Sequence, residues 1–226
     1  MRDSGPVDDA LPLLGTAYGD LASLLRDLGD EEAVQPTGCA GWAVLDLAQH
    51  LVLDVRRGLV ASATPAHGPA DCDAVRYWRD WSQSDTEAAD DLWRTRVSAS
   101  VAGGIASVAA AYAETAEAAV VSAGRLGPGD LVRTQGRVLT RDDLLSTLVV
   151  ESAVHHLDLV RSLDRPGPGA GPLAEVRRVL TGVLGSDLPV DWDDATAARR
   201  GTGREPLTAA DRAVLGDRAD RFPLLS

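Results

Sequence analysis

The chain has no lysine and no asparagine, and Ile105 and Phe222 are the sole isoleucine and phenylalanine. Its 22 basic residues are therefore all arginine, a usage that points to codon bias in a GC-rich genome rather than to selection for a function. Against them stand 34 acidic residues, giving a formal net charge of -12 and a pI near 4.7. Such a chain lacks the excess of cations that phosphate backbones and anionic lipids require. That argues against sequence-independent nucleic-acid binding and against docking on an anionic membrane. Two cysteines, Cys39 and Cys72, make no disulfide scaffold. No uncharged apolar run approaches the ~18 residues of a membrane span. The opening MRDSGPVDDA has neither the basic nor the apolar segment of a signal peptide. The expected compartment is the cytoplasm.

What the chain does have is apolar residues at helical spacing. With 45% hydrophobic content over 226 residues it can bury a sizeable core, in one domain or a domain with a small appendage. Leu11, Leu14, Tyr18, Leu21, Leu25 and Leu28 recur at intervals of three and four and predict a helix from Asp8 to Leu28. Gly29 and Pro36-Thr37-Gly38 end it. Val44, Leu47, Leu51, Val55 and Leu59 predict a second helix over Trp42 to Ala61, with His50 inside its stripe. A third stretch, Asp73 to Leu92, carries Trp78 and Trp81. A fourth, alanine-rich, covers Ser98 to Ala123, where Gly103-Gly104 would bend it or admit a neighbour closely. After Gly127-Pro128-Gly129 comes a short extended piece, Leu131 to Val138. The clearest helix spans Arg141 to Leu163. Thr140 would be its N-cap and Asp143 the far half of a capping box. Beyond Arg165-Pro166-Gly167 helices are expected near Leu173 to Leu184 and Thr208 to Leu215. No run of alternating strands appears, so the expected fold is all-α, a bundle of four or five long helices.

The segment that carries chemistry is Glu151-Ser-Ala-Val-His155-His156-Leu-Asp158. Residues four apart share a helix face, so Glu151 and His155 project together and Asp158 follows one turn on. A carboxylate and an imidazole so placed can reach one metal ion, and zinc takes a third protein ligand while a catalytic site leaves its fourth position open. His50, set among apolar neighbours on another helix, is the candidate third ligand. The plainer alternatives are a solvated Glu-His pair and a core histidine held by a hydrogen bond. Imidazole and carboxylate suit several divalent ions besides zinc.

The turn Pro36-Thr37-Gly38-Cys39-Ala40-Gly41-Trp42, with His50 eight residues after the tryptophan, resembles the opening of the mycothiol-dependent maleylpyruvate isomerase family, part of the DinB-like metalloprotein superfamily. Glu151-Ser-Ala-Val-His-His-Leu-Asp-Leu159 is similar to that family's later metal helix. Gly201-Thr-Gly-Arg204, Pro206-Leu-Thr208 and Arg221-Phe-Pro-Leu-Leu225 resemble tails of its members. The resemblance implies a DinB-like four-helix bundle over residues 1–165, with residues 166–226 as a small, mostly helical C-terminal extension packed on it. It implies a metal held by His50, Glu151 and His155, and mycothiol or a similar small thiol as co-substrate. The maleylpyruvate isomerases carry a larger C-terminal domain than residues 166–226 supply, so maleylpyruvate itself is not carried over.

Together these features point to a zinc-dependent thiol transferase or thiol-assisted isomerase acting on an electrophilic small molecule, as a monomer or homodimer. A hydrolase on the same scaffold and a non-catalytic, metal-stabilised binding module are the alternatives. Asp158 is expected to orient a ligand or a bound water, with pairing to Arg161 the alternative. Arg76, Trp78 and Arg79 are expected at the mouth of the substrate pocket, or else Trp78 packs on the bundle and the arginines are solvated. Cys39 is read as a packing residue of its turn. Cys72 has no recognisable context, and Gly201-Thr-Gly-Arg204 reads as a plain turn.

Overall fold

The amphipathic stripes become helices whose apolar faces meet. A computed structural model describes residues 10–82, 84–189 and 191–225. Helix α1 spans Ala10–Arg26, and Leu14, Tyr18, Leu21 and Leu25 of the expected stripe are buried. Its expected start at Asp8 lies outside the described residues. A single turn, α2 (Asp30–Ala33), follows. Helix α3 spans Val44–Ser62, its first turn held by Asp46, whose carboxylate accepts from the Ala43 N–H at 3.0 Å.

The stretch expected as one helix from Asp73 to Leu92 is two. Helix α4 (Ala74–Arg79) ends at Asp80, and α5 (Asp85–Ser100) starts afresh at Ser84. The reason is a capping box. Ser84 accepts from the Glu87 N–H, and the Glu87 carboxylate accepts from the Ser84 N–H at 2.8 Å. Helix α5 then overruns the expected start of the fourth helix, and α6 begins only at Ile105, running to Ala123. Gly103 and Gly104, at φ +87° and +90°, break the chain rather than bend it.

The extended piece is a hairpin of β1 (Leu131–Thr134) and β2 (Arg137–Thr140), antiparallel with Leu131 opposite Thr140. Gln135 and Gly136 form its two-residue turn, both at positive φ (+46° and +74°), as the right-handed twist of a tight hairpin demands. Helix α7 (Arg141–Leu159) is shorter than expected and closes in a 3-10 turn over Val160–Ser162. Thr140 caps it as expected, accepting from the Asp143 N–H. The Asp143 carboxylate instead takes the Thr140 hydroxyl and the Ala74 N–H, which ties α4 to α7. Helices α8 (Ala170–Leu184) and α10 (Ala209–Leu215) fall near their expected positions. Helix α9 (Asp194–Gly201) has no counterpart in the sequence reading.

Helices α1, α3, α6 and α7 form the four-helix core, with α6 and α7 each packed against both α1 and α3. A second apolar cluster, from α8 to Leu225, packs on Val150, Ala153 and Val154 on the other side of α7. Helix α7 is thus buried around almost its whole girth, which places the functional segment between two cores. No single helix among the described residues is long and apolar enough to cross a membrane.

Candidate metal centre

Packing of α3 against α7 brings His50 to the Glu151–His155 face. His50 Nε2 lies 3.3 Å from Glu151 Oε1, and His155 Nε2 lies 3.4 Å from the same oxygen. The two imidazole rings meet edge-on at 5.0 Å between centroids, and Trp42 closes the outer side of His50 at 5.4 Å. One donor atom from each of His50, Glu151 and His155 falls within 4.8 Å of the other two. Glu151 is held well below the usual carboxylate range. Its burial opposes ionisation, and the hydrogen bonds and charge of His155, then of His50, outweigh it. For His155, burial opposes the charged form, but hydrogen bonds to Asp158, Cys39 and Glu151 push the pKa well above that of a free imidazole. This pocket is built to hold positive charge.

Asp158 sits one turn beyond His155 with its side chain closed to solvent. Its Oδ2 accepts from His155 Nδ1–H at 3.1 Å and from the Cys39 thiol at 3.2 Å, and Arg204 donates to both its oxygens, Nη2 to Oδ2 at 2.8 Å and Nε to Oδ1 at 3.1 Å. Its pairing partner is thus Arg204 and not Arg161, which donates to the carbonyl of Arg204. A carboxylate on Nδ1–H fixes the tautomer and turns the Nε2 lone pair toward Glu151 and His50. A second donor group, Cys39, His155 and Asp158, is equally compact. The Arg204 guanidinium already occupies Asp158 there and repels a second cation. The arrangement of two imidazoles and a carboxylate around His50 therefore fits a divalent ion better.

The turn before α3 reaches this centre through a close approach. The Gly38 N–H donates to the Asp158 carbonyl at 2.9 Å, and a Cβ on Gly38 would stand 2.3 Å from Asp158 Oδ1. Only glycine fits there, and its neighbour Cys39 is thereby delivered to Asp158 and His155.

His50, Glu151, His155, Cys39 and Arg204 share one cavity of about 490 Å3. Trp78 and Trp81 line it too, as do Arg57 and Arg94. Arg76 and Arg79 do not. They share the opposite face of α4, where Arg76 pairs with Asp80 at 3.2 Å and Arg79 donates to the Gly182 carbonyl. The aromatic half of the expected pocket mouth reaches the cavity, and the arginine half is replaced by arginines from other elements.

Sequence reasoning missed Arg204, Arg57 and the position of Cys39. The Gly-Thr-Gly-Arg tail was visible, but it read as a turn. Arg57 and Asp54 carry a usable signal, charged residues on the same helix face as His50. Nothing local marks Cys39 as a neighbour of residues more than a hundred positions away.

Comparison with curated proteins finds no match, and comparison with solved structures finds none. The family model of the mycothiol maleylpyruvate isomerase N-terminal domain matches residues 14–160, which hold the four core helices' packing faces and all three donors. The chain therefore belongs to the family of the mycothiol maleylpyruvate isomerase N-terminal domain.

Proposed function

We propose that this protein is a cytoplasmic, metal-dependent enzyme that uses a small thiol such as mycothiol. It acts as an S-transferase on an electrophilic small molecule or as a thiol-assisted isomerase. The observation that carries the reading is the set of three donor atoms, from His50, Glu151 and His155, at the wall of a roomy cavity. A divalent ion held there, zinc being the first choice, would bind a thiol and favour its nucleophilic thiolate form. The family supports the thiol, since mycothiol stands in its description.

The chain's own groups supply the rest. Glu151 serves as a ligand rather than a free base, because both imidazoles already lie against one of its oxygens. Asp158 orients His155, and against the cost of burial the hydrogen bonds from His155 and then Arg204 keep Asp158 charged in its closed position. Trp78 and Trp81 give the ligand an apolar wall and thin the water near the donors. A purely structural ion would be closed by a fourth protein ligand, whereas here a cavity adjoins the donors, which favours a reactive centre.

The test uses zinc-loaded protein, mycothiol and 1-chloro-2,4-dinitrobenzene, whose chloride leaves as the thioether forms. Free thiol should disappear with the native protein and persist with His50→Ala, which should also lose stoichiometric metal. Failure of mycothiol to bind the fully metal-loaded native protein in calorimetry overturns the reading, while thiol that binds and persists rules out the transferase and leaves the isomerase, which returns its thiol. Appearance of a hydrolysed substrate with thiol unchanged would favour the hydrolase.

A further inference from the structure

Helix α5 forms one wall of the cavity through Ala88, Asp91, Arg94 and Thr95, yet little apolar surface holds it there. The cause is in its sequence. Trp93, Val97 and, just past the helix, Val101 recur every four residues, so its larger apolar side chains share one face. That face is turned to solvent, with Trp93 65% exposed. What α5 turns toward the bundle is small, since Thr95 and Ala99 are its buried residues. Burial stabilises in proportion to apolar area. Helix α5 is therefore bound more weakly than α3 or α7, whose buried faces carry leucine and valine.

Its hold is also one-sided. Ser98 accepts from the Gln49 amide at 2.9 Å, and Arg96 donates to the Gly41 carbonyl and to Asp46. These ties lie in the C-terminal half. The turns from Asp85 to Asp91 are exposed throughout, although Ala88 and Asp91 line the cavity. Past the held end come Gly103 and Gly104, at φ +87° and +90°. A Cβ on Gly104 would meet nothing within 4 Å, so the backbone has room to turn there. Glycine also passes between positive and negative φ at little steric cost. The N-terminal half keeps its helical form by its own means, because the Ser84–Glu87 capping box satisfies the first turn without help from the bundle. A helix capped from within, pinned at one end and followed by two glycines can move as a unit about that end.

The cavity has a use for such a motion. The side chains of His50, Glu151 and His155 are 27, 19 and 15% exposed, so water reaches the donors where α5 stands. Water competes for an electrophile and weakens the field of a bound cation. We propose that α5 is a lid, hinged at its C-terminal end, that swings onto the occupied cavity and shuts water out of the metal centre. The ligand that draws the lid down rests on the thiol reading above, and the hinge does not.

Amide hydrogen exchange of the metal-loaded full chain, read by mass spectrometry with and without mycothiol, provides the first test. Without ligand the amides of α5 should exchange at least tenfold faster than those of α3 and α7. Saturating mycothiol should slow them at least threefold while those of α6 stay unchanged. The second test needs no thiol ligand. Trp81→Cys and Ala88→Cys put one thiol on the rim beyond α4 and one on the lid, both at positions that line the cavity. A Cys39→Ser background keeps the cross-linker off the metal centre. A short bismaleimide joining the two new thiols should slow removal of zinc by a chelator at least fivefold, relative to the same protein before cross-linking. The lid is overturned if α5 is as protected as α3 and α7, if bound mycothiol leaves its exchange unchanged, or if cross-linking leaves the rate of zinc removal unchanged. Mycothiol that fails to bind in calorimetry, beside fast α5 exchange and slowed zinc removal, overturns the thiol reading and leaves the lid standing.

Discussion

Asp158 Oδ2 accepts from His155, Cys39 and Arg204 at once, and the charge it keeps there decides how the His155 ring stands. Asp158→Asn keeps the shape and loses the charge, so the tautomer is no longer enforced. Metal affinity should fall by roughly 10–100-fold, read by competition against a chelator, with the helical circular-dichroism spectrum unchanged. The same hydrogen bonds also fix a pH dependence. Hydrogen bonds to Asp158, Cys39 and Glu151 overcome burial and raise the His155 pKa, so an incoming cation must displace a proton. Affinity should decrease as pH falls through that raised value and level off above it. Calorimetry in two buffers of different ionisation enthalpy should register the released proton, and a heat independent of buffer would contradict the assignment. Glu151, His155 and Asp158 are legible as a group because helical spacing alone puts them on one face. Arg204 is not, because it lies 46 residues beyond Asp158 and reaches it through a separate turn.

Among the elements, the Pro36–Trp42 turn shows how much depends on one missing Cβ. Gly38→Ala would press on Asp158 Oδ1 at 2.3 Å and on its Cα at 3.0 Å. We expect a loss of about 1–3 kcal/mol in urea unfolding, together with weaker metal binding. Gly15→Ala is the control. It lies inside α1 with nothing within 4 Å of the added atom, and should stabilise by roughly 0.5–1 kcal/mol. A Gly38→Ala protein as stable as native would contradict the close approach. Element boundaries were legible where side chains cap, as at Thr140. They were lost where the apolar pattern ran on past a break. Trp78 and Trp81 invited one helix over Asp73 to Leu92, but the Ser84–Glu87 capping box starts a new one. Gln135-Gly136 hid a hairpin because only Gly136 announces a positive φ.

At the scale of the whole molecule, α7 belongs to two cores, with the bundle on one side and the C-terminal cluster on the other. Unfolding of the C-terminal cluster should therefore take the metal centre with it. Leu180→Ala, in α8 and fully buried, should cost about 2–5 kcal/mol. Loss of helical signal and loss of bound metal should fall in a single transition, and two separate transitions would contradict the shared core.

The sequence by itself determined the helical class, the core faces and the shared helix face of Glu151 and His155, because periodicity and local spacing are short-range properties of a chain; His50 was only a candidate until α3 packed against α7. It also determined the family, through motifs that are contiguous. Only the tertiary structure decided which arginines reach the cavity, that Cys39 meets Asp158, and that Arg204 closes the centre. Those pairings join residues far apart in the chain, and their register is set by how helices and turns pack, which no local pattern encodes.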